Sequence, residues 1–193
     1  MTPDSVLALF RQRGALLEGH FVLTSGLHST GYLQCAMVLQ HPADAEALGK
    51  ALAAKVNAAG HAVDVVLSPA MGGLIIGHEV ARALGVRAIF AERVEGTLTL
   101  RRGFRIEPGE RVLIVEDVVT TGKSTLETVA VARHAGAAVV AAASVINRGG
   151  GDDLDVPYVS LAEARFPTYA ADALPEHLRG VPAVKPGSRP GQK

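Results

Sequence analysis

The stretch 112–125 constrains this chain more than any other. Val112, Leu113, Ile114 and Val115 lead into two acids, Glu116 and Asp117. Val118 and Val119 follow, then Thr120, Thr121, Gly122, Lys123, Ser124 and Thr125. From Leu126 to Ala132 the apolar positions recur at helical spacing. An apolar run, a polar turn and a helix make a βα unit, and such units carry binding sites at the carboxyl end of the strand.

The turn has a definite chemistry. A helix starting near Gly122 presents unpaired N–H groups and a partial positive charge. The hydroxyls of Thr120, Thr121, Ser124 and Thr125 add donors, and Gly122 permits close approach with positive φ. This set suits a phosphate monoester. Ionised Glu116 and Asp117 are acceptors only, so they suit neighbouring hydroxyls or a hydrated cation. Diol acceptors beside a phosphate cradle describe a site for a ribose 5-phosphate. Gly122-Lys123-Ser124 also matches the end of a P-loop, but that pattern needs glycine at 117, where Asp117 stands. A plainer reading remains beside these: a buried strand, two capping acids and a helix start.

The rest of the chain supplies a frame. Thr2 and Pro3 predict a helix start, with Val6, Leu9, Phe10 and Arg13 at helical spacing and Gly14 as its stop. Phe21–Leu23 and Tyr32–Gln34 read as short strands around a polar turn, 24–31. His20 and His28 lie there without a metal-ligand partner at useful spacing and read as solvated or turn histidines. A second helix runs from Pro42 to a stop at Gly60, with Ala45, Leu48, Leu52 and Val56 on one face. Val63–Leu67 reads as a buried strand. Ser68-Pro69-Ala70-Met71-Gly72-Gly73 is a second strand-to-helix turn, either an anion-binding loop or a simple structural turn. Its helix ends at Gly85, and Arg87–Ala91 reads as the next strand.

An excursion over 92–105 follows, with Thr97–Leu100 alternating like a hairpin arm and arginines at 93, 101, 102 and 105. Guanidinium forks suit phosphate oxygens, and a loop between rigid strands can close over a site. A solvated basic hairpin is the bland alternative. After the 112–125 unit, Gly136 stops its helix and Ala137–Ile146 reads as a central strand ending at Asn147-Arg148-Gly149. Tyr158–Leu161 is expected to be a strand, Pro175–Leu178 a helical turn, and 183–193 disordered. Strands alternate with helices from about 42 to 148, which predicts a mostly parallel sheet flanked by helices.

Composition narrows the class. With 193 residues, 48% hydrophobic, the chain can form one globular domain over 1–193. Nineteen basic residues balance 19 acidic ones, with no basic stripe for nucleic acid. The single cysteine, Cys35, excludes an internal disulfide and fits a reducing, cytoplasmic compartment; it reads as a small buried hydrophobe. No signal peptide, membrane span or internal repeat is apparent.

The 112–125 stretch closely resembles the phosphoribosyl pyrophosphate (PRPP) motif of type I phosphoribosyltransferases: four apolar residues, two acids, two apolar residues, then Thr-x-Gly-x-[Ser/Thr]. The resemblance implies an α/β, Rossmann-like parallel sheet with a small hood from the N- and C-terminal segments, about 1–40 and 150–180. It implies that Glu116 and Asp117 bind the ribose hydroxyls, that Val118 to Ser124 line the phosphate side, and that Met71 and Gly72 belong to the pyrophosphate loop. Arg93 matches a pyrophosphate-binding arginine.

A second resemblance covers nearly the whole chain. Gly19-His20-Phe21-Val22-Leu23-Thr24-Ser25-Gly26, then His28-Ser29, is similar to the hood of orotate phosphoribosyltransferases. In that family Tyr32 and Leu33 match paired aromatics that hold the pyrimidine. Arg148 matches the arginine for the orotate carboxylate, and Thr120 a loop threonine that also touches orotate. The departures are Thr24 and Gly72, where many members have lysine, and a short excursion without the usual Lys and His pattern. Arg101 and Arg102 stand as replacements for the missing cations, with Asp117 the third catalytic candidate. The resemblance further implies Mg²⁺ held through PRPP and water with no direct protein ligand, and a homodimer sharing loop residues across its interface. Two alternatives stay open: a PRPP-binding regulator, and a purine or uracil phosphoribosyltransferase.

Overall fold

The structure is a computed structural model that describes residues 1–23 and 25–185. Helix α1, Pro3–Gln12, begins as its sequence dictates: Thr2 Oγ1 accepts the Ser5 N–H at 3.3 Å, and Pro3 occupies the first turn. Strands β1 (Leu16–Val22) and β2 (His28–Leu33) form an antiparallel hairpin, longer than the sequence suggested because pairing continues from Leu16 to Leu33. A short helix α2, Ala36–Leu39, leads into α3, Pro42–Ala58.

The main sheet then builds up through β3 (Val65–Pro69), α4 (Gly73–Leu84), β4 (Arg87–Val94), β5 (Thr97–Leu100), β6 (Arg111–Val119), α5 (Lys123–His134), β7 (Ala138–Asn147) and β8 (Tyr158–Glu163). Its order is β5-β4-β3-β6-β7-β8. All neighbours run parallel except β4 and β5, which form a hairpin closed by Glu95 and Gly96, both at positive φ.

Alternation along the strands sorts the core into two layers. Val66, Leu113, Val115, Ala141 and Ala143 face α3 and α4, in a cluster that also takes in Phe10 of α1 and Leu33 of the hairpin. Val65, Leu67, Val112, Ile114 and Ala142 face Val129 and Ala132 of α5. Each of the valines, leucines, isoleucine and phenylalanine buried here is worth roughly 1.5–3 kcal/mol of transfer free energy. Both faces are covered, so β3 is buried at every position.

The chain leaves β3 towards β4 on one side and β6 towards β7 on the other. The strand order therefore reverses between β3 and β6, and a crevice opens beyond their carboxyl ends.

Two expectations about the C-terminal half need correction. Segment 150–180 does not all belong to the hood. Tyr158–Glu163 pairs in parallel with Ala142–Asn147 as the last strand of the main sheet, because its apolar residues Leu161 and Ala162 complete the α3 layer. The hairpin is joined by Phe166, which packs on Gly31, by β9 (Thr168–Tyr169), paired with His28 and Ser29, and by the turn at Glu176–Leu178, which lines a cavity with Glu18 and His20. Nor is the start of the tail loose: Val184 bridges Phe21, its N–H donating to His20 O at 2.8 Å and its carbonyl accepting from Val22 N at 2.9 Å. Residues 186–193 of the expected disordered tail lie outside the described residues, as does Thr24.

Candidate active site

The acids sit where β6 runs out. Glu116 is buried and Asp117 half-buried at the crevice. Ser124, in the first turn of α5, donates from Oγ to Glu116 Oε1 at 2.6 Å. Asp117 Oδ1 accepts its neighbour Val118 N–H at 2.8 Å. Burial lifts the Glu116 carboxyl to about 7, against the pull of the Ser124 hydrogen bond, and burial also raises Asp117. Cys35 is buried, and its thiol is pushed up by that burial and by the negative charge of Asp117.

The turn between β6 and α5 has the expected shape. Gly122 is left-handed at φ 73°, which any other L-residue would adopt only under strain. An added Cβ there would stand 2.8 Å from Gly150 O. Gly150 in turn fits flat against the turn, its N–H donating to Thr120 O at 2.9 Å. Thr120, Thr121 and Lys123 are exposed, while Val119 is buried.

The β3–α4 turn forms the opposite wall. Ala70 N–H is held by Ala91 O at 2.8 Å, and the Ala70–Met71 peptide is cis. Gly72 lies so close to Asp117 that a Cβ would come within 2.7 Å of Oδ1. A cavity of about 220 Å³ results, lined by Pro69, Ala70, Gly72, Arg93, Leu98, Glu116, Asp117, Val118 and Ser124. Arg93 reaches it while paired with Glu127 and donating to Gly96 O at 2.7 Å.

Arg148 follows β7, its backbone N–H tied to Val119 O at 2.8 Å. Its side chain is half-buried, and Nε has no hydrogen-bond partner among the described residues.

A family profile described as a phosphoribosyl transferase domain matches residues 34–164. An orotate phosphoribosyltransferase of Sphingopyxis alaskensis is 56% identical over 192 residues, 98% of each chain. One from Erythrobacter litoralis is 55% identical over 191 residues, covering 98% of this chain and 99% of that one. The chain belongs to the orotate phosphoribosyltransferase family. Among solved structures, the orotate phosphoribosyltransferase of Aeropyrum pernix superposes with a TM-score of 0.67 at 27% identity, covering 82% of this chain and 93% of the other.

Against that orotate phosphoribosyltransferase frame, the fold gathers Gly72, Arg93, Glu116, Asp117, Val118 and Ser124 around one cavity. It leaves others apart. Met71 projects outward at 78% exposure. Arg101 and Arg102 stand beyond the edge strand β5, outside this cavity; Arg102 bonds Glu92 at 2.6 Å and stacks 5.7 Å from the Phe90 ring. Tyr32 and Leu33 are separated as well. Neighbours on a strand point to opposite faces, so Leu33 enters the core while Tyr32 lies against Phe21 at 5.9 Å.

Pro69 and Ala70 line the cavity as part of the turn that the sequence offered as an anion-binding loop, whereas Leu98 was missed because it lines the cavity through position rather than chemistry. It also missed Gly150, whose fit against Gly122 has no local signal beyond a run of three glycines. No helix among the described residues is long and apolar enough to cross a membrane.

Proposed function

We infer that this chain transfers the 5-phosphoribosyl group of PRPP to orotate, giving orotidine 5′-monophosphate and pyrophosphate in pyrimidine (UMP) synthesis. The observation that carries the reading is the buried acid pair at the crevice, with Glu116 already held by a hydroxyl of the phosphate-binding turn. Carboxylates placed there accept from ribose hydroxyls, while Thr120 to Ser124 and the start of α5 take the 5-phosphate.

The reaction is a displacement at ribose C1. The bond to the pyrophosphate oxygen breaks as the bond to the pyrimidine nitrogen forms, with positive charge developing on the sugar. No protein nucleophile is required; positioning and electrostatics lower the barrier. Backbone N–H groups of the Met71–Gly72 turn, together with Arg93, receive the pyrophosphate, which displaces Glu127 from Arg93. Arg148 pairs with the orotate carboxylate as a bidentate fork. Thr120 completes the base side, while Leu33 in the core and Tyr32 against Phe21 shape the hood that faces it.

The donor set suits Mg²⁺. Glu116 and Asp117 offer hard oxygen atoms, and Mg²⁺ keeps waters and prefers one or two carboxylates plus substrate phosphates. When bound, it supplies charge neutralisation for the pyrophosphate and ribose oxygens. The homodimer implied by the resemblance gives Arg101 and Arg102, which stand away from their own cavity, a neighbouring subunit's site to serve, with Arg102 leaving Glu92 to do so. We place the reaction in the cytoplasm, where a lone buried thiol stays reduced.

The test is absorbance at the orotate band after mixing protein, orotate, PRPP and Mg²⁺. Loss of the band that requires both PRPP and Mg²⁺ supports the reading. Turnover of uracil or a purine with orotate untouched would move the acceptor, and PRPP binding without any turnover would favour a regulator.

A further inference from the structure

Arg148 is held in an unusual way for a half-buried cation. Among the described residues its Nε has no hydrogen-bond partner. Burial lowers its pKa, and no acid among the described residues offsets that. Its guanidinium carbon instead lies 5.4 Å from the centre of the Phe166 ring. As a rule charges taken out of water are paired; this half-buried one rests on an aromatic face.

The segment that carries the ring is tied down on both sides of it, and one close packing contact seats the ring itself. Ala164 N–H donates to Asn147 O at 2.9 Å, which fastens the end of β8 beside the end of β7 and so brings Phe166 next to Arg148. Arg165 pairs with Asp152 at 2.8 Å and Glu163 at 3.2 Å. Against the ring lies Gly31 of β2, where an added Cβ would stand 2.3 Å from Phe166 Cδ1 and 2.5 Å from Cε1. Gly31 has no positive φ, so its backbone does not demand glycine. What demands it is the ring.

We propose that Phe166 is a positioning residue for the acceptor base: seated on Gly31, its π-face orients the Arg148 guanidinium and leaves the N–H edge of that fork for the carboxylate of the pyrimidine. A carboxylate partner would compete with the substrate for the same edge; an aromatic face does not. This rests on the orotate reading above and adds a residue to it.

The test is steady-state kinetics of the full-length enzyme with Phe166→Leu, Phe166→Tyr, Gly31→Ala and a series carrying fluorinated phenylalanines at 166. Fluorination drains the ring face while nearly keeping its shape. The orotate KM should rise about 5- to 30-fold for Phe166→Leu, the span of a partly desolvated cation–π contact. Gly31→Ala should act in the same direction, Phe166→Tyr should restore near-native values, and each added fluorine should raise the orotate KM further. The PRPP KM should stay within about twofold throughout, since the phosphate turn is untouched.

A fluorine series with no gradation, or an orotate KM unchanged in Phe166→Leu, overturns the role. So does a parallel rise in both KM values with a lowered Tm, which marks the ring as a structural prop. If the unmodified enzyme turns over no orotate at all, the function itself falls, and this role with it.

Discussion

Ser124 Oγ donates to Glu116 Oε1 at 2.6 Å and ties the first turn of α5 to the acid at the end of β6. That bond only partly offsets the cost of burying the carboxylate, and Glu116 titrates near 7 instead of 4.5. Between these values the folded protein holds a proton that the unfolded chain has lost. Stability from this group is therefore full below about pH 4.5 and is lost as pH rises through about 7. At 1.36 kcal/mol per pH unit the loss is about 3 kcal/mol, and Asp117, raised in the same direction, adds to it. Urea titrations of the ligand-free protein between pH 5 and 8 should show this decline, and Glu116→Gln should flatten most of it. An unchanged slope in Glu116→Gln would remove Glu116 as its source.

Gly150→Ala should damage the phosphate turn without touching a substrate. Its Cβ would stand 2.5 Å from Gly122 N and 2.6 Å from Thr120 O, backbone atoms that cannot swing aside. Overpacking of this kind costs about 1–3 kcal/mol, and here the cost falls on the loop. We expect a PRPP KM raised at least about tenfold with the orotate KM less affected. Equal PRPP kinetics in the variant and the parent would show that the turn tolerates the shift.

The site was legible in sequence where one short segment carries all its parts. Val112 to Thr125 hold the strand, the acids, the left-handed Gly122 and the helix start, so local chemistry specified them together. The helix boundaries at Thr2, Pro42 and Gly85 were equally plain, because caps and breakers act within a few residues. What escaped depends on pairing across the chain. Tyr158–Leu161 reads as a strand from its own residues, but only the ladder of β8 to β7 decides that it belongs to the main sheet. Tyr32 and Leu33 look alike in sequence, yet strand alternation sends them to opposite faces. Phe166 matters through Gly31 and Arg148, neither of which is its neighbour along the chain.

Arg148→Ala separates the two substrates. Arg148 does not line the 220 Å³ cavity, so PRPP binding should be nearly unaffected. Loss of a charge-assisted fork to a carboxylate costs about 2–3 kcal/mol, so the orotate KM should rise roughly 30- to 150-fold. Arg148→Lys should recover little, since a point charge does not reproduce the fork. Initial rates at varied orotate and saturating PRPP give the answer, and an unchanged orotate KM would put the carboxylate elsewhere.

Arg101 and Arg102 permit a test of subunit sharing. Within one chain they stand beyond β5, with Arg102 engaged by Glu92, outside the cavity that holds Asp117. If they serve the neighbouring subunit, a protein carrying Arg101→Ala and Arg102→Ala and another carrying Asp117→Asn should each be nearly inactive alone. Mixed under conditions that allow subunit exchange, they form hybrids with one site of native acid and native arginines and one site lacking both. Random exchange makes half the dimers hybrid, so about a quarter of all sites recover. Activity rising towards that fraction on mixing supports arginines acting across the interface. Activity that stays flat, in a mixture shown by mass spectrometry to contain hybrids, means the arginines serve the site of their own chain.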